Sequence, residues 1–222
     1  MRRIERPSPN YDDRGGVGVD MLVLHYTGMK TAEEALARLC DPAAKVSAHY
    51  TIDEDGTVYA HVPEARRAWH AGVASWAGAA DINARSIGIE LVNPGHEFGY
   101  RDFAADQIAS LITLSHSILM RHPIPSARVL GHSDVAPARK EDPGELFPWQ
   151  RLAKAGIGLW PSSAAASDLG TDALSRYGYD PTAPQDKVIT AFQRHFRPGR
   201  IDGQWDGECA GLLAWLLTQP GV

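Results

Sequence analysis

The sequence predicts an α/β fold: a mixed central β-sheet flanked by helices, followed by a small all-α unit of three helices. Three observations carry this reading. Met21-Leu22-Val23-Leu24-His25-Tyr26 and Ser86-Ile87-Gly88-Ile89-Glu90-Leu91-Val92 are mainly apolar runs of strand length, as in strands buried on both faces. Asp102 to Arg121 places Ile108, Leu111, Ile112, Ser115, Ile118 and Leu119 along one face of a helix. After Pro161-Ser162-Ser163-Ala164-Ala165-Ala166-Ser167, three short helical patterns follow one another to the end of the chain.

In chain order, residues 5–19 are rich in Pro, Gly and Asp and read as an extended arm. The first strand, 21–26, ends on His25 and is broken by Thr27-Gly28. Thr31-Ala32-Glu33-Glu34 is a capping box that opens a short helix carrying Ala35, Leu36 and Leu39. Residues 48–52 and 57–62 flank Asp53-Glu54-Asp55-Gly56, a hairpin with its turn at Asp-Gly. The strand over 86–92 follows a loop holding Trp69, His70 and Trp76. The long helix stops at His122-Pro123, because a residue before proline leaves the helical region. Arg128-Val129-Leu130 is then a short strand leading into Gly131 to Gly144, a loop that Pro137, Pro143 and Gly144 keep from being one continuous helix. Residues 1–160 form the first domain, 161–168 a linker, and 169–222 the three-helix domain.

Composition sets the class. Of 222 residues, 44% are hydrophobic and 22% charged, the profile of a soluble globular protein. A net charge of -5 gives no electrostatic case for nucleic acid or an anionic membrane surface. No apolar run approaches the ~18 residues of a membrane span. The polar start, Met1-Arg2-Arg3-Ile4-Glu5-Arg6-Pro7, lacks the apolar stretch of a secretory leader, so the expected compartment is the cytoplasm, with the periplasm as the alternative. Cys40 and Cys209 form no disulfide framework and no metal-type pair.

The chemistry gathers at strand ends and in the 131–144 loop. His25 ends a buried strand, His132 follows another, and Asp142 lies in the same loop as His132. Two imidazoles and a carboxylate, with a fourth position open to water, make a catalytic zinc set. A histidine at a strand end also serves as a packed, hydrogen-bonded residue, and this spacing alone does not separate the two uses. Lys140, two residues before Asp142, shares its face in an extended segment and could stabilise an oxyanion; a solvated surface lysine is the alternative. Glu90 sits in an otherwise apolar strand, where a carboxylate is costly unless paired or used. It is a candidate general base or one half of a buried ion pair. His49 reads as a hydrogen-bonded core residue, and Trp69, Trp76 and Trp149 as sugar-packing or core-closing side chains.

Five segments in order carry a resemblance to a known family. Leu22-Val23-Leu24-His25-Tyr26-Thr27, Val46-Ser47-Ala48-His49-Tyr50, Arg67-Ala68-Trp69-His70-Ala71-Gly72, Ser86-Ile87-Gly88-Ile89-Glu90-Leu91 and Gly131-His132-Ser133-Asp134-Val135-Ala136-Pro137 through Lys140 and Asp142-Pro143-Gly144 resemble the type 2 N-acetylmuramoyl-L-alanine amidases, the zinc amidases related to peptidoglycan recognition proteins. The resemblance implies one zinc ion held by His25, His132 and Asp142, with Glu90 and Lys140 as the catalytic pair. It implies peptidoglycan fragments as substrate, cut at the amide between N-acetylmuramic acid and L-alanine. Tyr26, Trp69, His70 and Asn93 are the implied substrate contacts. Some members carry a catalytic tyrosine before the residue matching His49; Ala48 stands here, which points to the branch relying on Glu90. Tyr177-Gly178-Tyr179-Asp180, Val188 to Phe196 and Ile201-Asp202-Gly203 resemble a peptidoglycan-binding three-helix module, although the usual Gly-Pro-x-Thr is replaced by Asp206-Gly207-Glu208-Cys209. An amidase followed by such a module is similar to the branch that also takes 1,6-anhydro-muropeptides in cell-wall recycling. A non-catalytic peptidoglycan recognition protein is the alternative; such binders lack part of the ligand set.

Overall fold

The computed structural model describes residues 2–162 and 166–222. In chain order the strands are β1 (Arg3–Glu5), β2 (Tyr11–Asp13), β3 (Met21–Tyr26), β4 (Tyr50–Ile52), β5 (Val58–Ala60), β6 (Arg66–Ala68), β7 (Ser86–Leu91) and β8 (Val129–Gly131). The helices are α1 (Ala32–Cys40), α2 (Ile82–Arg85), α3 (Gly95–Phe98), α4 (Ala105–Arg121), α5 (His132–Val135), α6 (Trp149–Lys154), α7 (Leu174–Tyr177), α8 (Gln185–Phe196) and α9 (Gly207–Leu216). Six strands form one sheet in the order β1-β5-β4-β7-β3-β8, and β2 pairs with β6 in a separate ribbon. The β4-β7-β3-β8 core is parallel; β5 pairs antiparallel with β4, and β1, parallel to β5, also runs opposite to the core. The mixed α/β architecture expected from the sequence is therefore present.

Strand period sorts the side chains. Leu22 and Leu24 of β3, with Ile87, Ile89 and Leu91 of β7, enter the core under α4, where they meet Ile108, Leu111 and Ile118. Full burial of each such side chain is worth about 1.5–3 kcal/mol. Gln107 fastens α4 to the sheet by donating to the carbonyls of Ile52 and Val92, at 2.9 and 3.0 Å. The alternate residues Met21 and Val23 enter a second core on the opposite face. His25 continues their phase.

That second core is shared. Trp76, Ile82, Leu130 and Val135 pack in one cluster with Leu174, Tyr177, Val188, Phe192 and Leu213 from α7, α8 and α9. Three short helices bury too little surface alone; here the sheet completes their core. Residues 163–165, within the linker expected over 161–168, lie outside the described residues.

The stretch 5–19 differs from an extended arm. Next to it, β1 pairs with β5, and within it β2 pairs with β6. Arg14 is buried and donates to the carbonyls of Glu64, Asn83, Ala84 and Ser86. Three-residue strands carry no periodic signature, and their partners stand more than fifty residues away in the chain. Among the described residues, no helix is long and apolar enough to cross a membrane.

Candidate metal centre and cleft

The parallel strands deliver three of the expected groups from their C-terminal ends, where open α/β sheets carry their sites. His25 and Glu90 are register partners on β3 and β7, so they share a face. Leu24 is paired with Gly131, which puts His132 just past the end of β8. The loop then returns: the Ser133 amide donates to the carbonyl of Asp142 at 2.9 Å, bringing the carboxylate back to the imidazole.

Three donor atoms converge. His25 Nδ1 lies 3.0 Å from His132 Nδ1 and 3.0 Å from Asp142 Oδ2, and His132 Nδ1 lies 3.1 Å from that oxygen. All three residues are buried. The hydrogen bonds behind them fix the tautomers. His132 Nε2–H donates to the carbonyl of Ala71 at 3.0 Å, leaving Nδ1 as a lone pair. Ser86 donates its hydroxyl proton to the carbonyl of Ile82 at 2.7 Å and so accepts from His70 Nε2–H at 3.0 Å. His70 Nδ1 then accepts from His25 Nε2–H at 3.0 Å, and His25 Nδ1 is also a lone pair. Two imidazole lone pairs and a carboxylate oxygen thus face one another with no proton to share. A cation resolves that conflict. Zinc bonds of 2.0–2.2 Å place tetrahedral ligand atoms roughly 3.3 Å apart, close to the observed triangle. The residues present fit a zinc ion.

The electrostatics agree. Burial, reinforced by the charge of His132, brings His25 down to about 4, so the ring is neutral at neutral pH. Burial also pushes His70 well below its ordinary value. Burial opposes ionisation of Asp142, but His132 and His25 outweigh it and hold the carboxyl far below the usual range. Glu90 is the opposite case. Its Oε2 is buried without a hydrogen-bond partner. Burial, with the charge of Asp142 adding to it and Lys140 working against it, raises its pKa well above the ordinary carboxylate value.

A cleft of about 660 Å³ opens over this centre, bordered by Tyr26, Trp69, His70, Glu90, His132, Lys140 and Asp142. Eight of the nine residues singled out from the sequence therefore meet around one space. Asn93 is the exception. It is 1% exposed, and its side chain donates to the carbonyl of Arg101 and accepts from the Gly95 amide. These bonds shape the 93–101 loop, and Asn93 is not among the residues that border the cleft. His49, Trp76 and Trp149 are buried away from the cleft border.

Sequence reasoning missed His96 and Arg194, which border the cleft, and the Ser86–His70–His25 chain behind it. One signal was available. Gly88 interrupts an apolar strand, and such a glycine marks close approach of another group.

The family described as N-acetylmuramoyl-L-alanine amidase matches residues 15–145. The N-acetylmuramoyl-L-alanine amidase AmiD of Escherichia coli K12 is 38% identical over 234 residues, covering 91% of this chain and 84% of that protein. The 1,6-anhydro-N-acetylmuramyl-L-alanine amidase AmpD of Citrobacter freundii is 36% identical over 164 residues, covering 66% of this chain and 86% of its own length. The solved complex of E. coli AmiD with anhydro-N-acetylmuramic acid-L-Ala-D-γ-Glu-L-Lys has a TM-score of 0.79 at 37% identity, over 95% of this chain and 91% of that one. With more than half its length matched and its fold shared over 95% of the chain with such a relative, this chain belongs to the N-acetylmuramoyl-L-alanine amidase family.

Proposed function

We propose that this chain hydrolyses the amide between N-acetylmuramic acid, including its 1,6-anhydro form, and the L-alanine of peptidoglycan stem peptides. Its product would be a free peptide released during cell-wall recycling. The observation that carries this reading is the triangle of His25, His132 and Asp142 donors beside the unpartnered carboxylate of Glu90. Amidases of this family are zinc-dependent in general, and we assign one zinc ion per chain to that triangle. When bound, zinc polarises a carbonyl and lets a water ionise near neutral pH.

The chain's own residues do the rest. Glu90, with its raised pKa, suits both halves of a proton relay: it takes a proton from the attacking water and returns it to the departing alanine nitrogen. Lys140 brings a positive charge to the same cleft, where oxyanion charge develops on the scissile carbonyl. Tyr26 and Trp69 border the cleft, where aromatic side chains can pack against the substrate. His70, both of whose ring nitrogens are engaged by His25 and Ser86, serves to orient His25. We read residues 1–160 as the amidase domain and 169–222 as a peptidoglycan-binding-like module. The free thiols of Cys40 and Cys209 suit a reducing cytoplasm.

The test is mass spectrometry of products from anhydro-N-acetylmuramic acid-L-Ala-D-γ-Glu-L-Lys. Anhydromuramic acid plus intact tripeptide supports the reading; a cut within the peptide or no cut removes it. Intact sacculi assayed in parallel address the compartment, since strong preference for them would favour the periplasm.

A further inference from the structure

The face of the sheet that carries His25 is the one covered by the C-terminal helices, and α8 reaches the cleft itself. Lys187, Thr190 and Arg194 all border it, together with Tyr26, Glu90 and Lys140. Their spacing of three and four residues puts them on one stripe of α8. Arg194 is 9% exposed, and its Nε is buried without a partner. The nearest carboxylates, Glu145 and Glu141, stand 3.6 and 3.8 Å from the guanidinium, beyond hydrogen-bond reach. Among the described residues it makes no side-chain hydrogen bond. These ion pairs offset its charge, but the buried Nε–H still has no hydrogen-bond acceptor, which is costly unless something else supplies one.

The substrate proposed above carries suitable acceptors. Beyond L-alanine, a stem such as D-γ-Glu-L-Lys has one free carboxylate on the glutamate and another at its end. A planar guanidinium fork matches a carboxylate in two parallel hydrogen bonds, and an ammonium nearby adds charge. We propose that Arg194 and Lys187 form a subsite on α8 that binds a stem-peptide carboxylate beyond L-alanine. The three-helix module is then a wall of the active-site cleft. This subsite lies outside residues 15–145, the part matched to the family. It rests on the amidase reading, because it reads the portion of substrate that amidase cleavage releases.

Two substrates separate the ideas: anhydro-N-acetylmuramic acid-L-Ala-D-γ-Glu-L-Lys and the truncated anhydro-N-acetylmuramic acid-L-Ala. The quantity to follow is the ratio of their kcat/KM values, for the full zinc-loaded chain and its Lys187→Glu, Arg194→Ala and Arg194→Lys variants. Charge-assisted hydrogen bonds lost from the longer substrate should lower that ratio about tenfold in Arg194→Ala, chiefly through KM, with partial rescue in Arg194→Lys. Lys187 is exposed, so Lys187→Glu folds and should move the ratio in the same direction even if Arg194→Ala does not fold. An unchanged ratio in Lys187→Glu and in every folded Arg194 variant overturns the subsite, as does a fall in kcat shared equally by both substrates. If the wild-type chain releases no peptide from either substrate, the amidase reading itself fails, a result distinct from both.

Discussion

The ring of His70 occupies the space that a side chain on Gly88 would need: a Cβ there would fall within 2.6 Å of its Nδ1 and Cδ2. β7 is therefore bare at this point so that an imidazole can lie against it and accept the Nε2 proton of His25. A glycine in a strand loses packing and costs backbone entropy. Here it sets the tautomer of a proposed metal ligand.

His70→Ala should accordingly weaken zinc binding by about 10–100-fold, since groups that orient a ligand carry that much of a site's affinity. Gly88→Ala should do the same by displacing the ring. Competition titration of the metal-free chain with a chromophoric chelator measures both. Unaltered affinity in His70→Ala would remove its orienting role.

Glu90→Ala should lower kcat by about 100–10,000-fold while zinc content stays at the wild-type level. The sign of its pH dependence follows from the direction of its shift. A base must be ionised to accept a proton, and the pKa of Glu90 is raised by burial, so activity should climb with pH through an acid limb lying above the ordinary carboxylate value. That limb should vanish from the residual rate of Glu90→Ala. A pH–rate profile unchanged in shape would assign the limb elsewhere.

Lys140→Ala should cost about 100–1,000-fold in kcat, the usual loss for one oxyanion partner, with KM changed far less. Lys140→Arg should recover part of it. A loss confined to KM would make Lys140 a ground-state binding group.

Much of this centre is legible in the chain. An apolar run that ends on His25 and a carboxylate alone in an apolar strand at Glu90 are local signals, and register between β3 and β7 then places them side by side. The long periodic stretch of α4 is equally direct. Other parts depend on partners distant in sequence. His195 and Tyr179 both bond the Asp134 carboxylate, at 2.8 and 2.7 Å, which ties the C-terminal region to α5 beside the proposed metal centre. Nothing within ten residues of either announces that bond. The same holds for β1 and β2, whose three residues acquire strand geometry only by pairing with β5 and β6, and for Arg194, whose place at the cleft follows from how α8 packs on the sheet.

Stability should have its own acid limb. Burial alone would raise Glu64, but hydrogen bonds from Arg121, Tyr50 and His122 bring its pKa down to about 2. A carboxyl whose folded pKa is depressed stabilises the protein above its unfolded value of 4.5, and that contribution is lost as pH falls towards about 2. After allowance for solvent screening it amounts to about 1–2 kcal/mol. Chemical denaturation of wild type and Glu64→Gln from pH 7 to pH 2 should show a difference that closes across this window. A constant difference would point to packing instead of charge.

The most direct test of the central claim is zinc stoichiometry and affinity in wild type and Asp142→Ala, measured on the preparations whose turnover is recorded. The account predicts one zinc per wild-type chain, loss of turnover on chelation with recovery on adding zinc back, and a sharp fall in both affinity and rate for Asp142→Ala. Full turnover in the chelated wild type, or normal zinc affinity in Asp142→Ala, would contradict it.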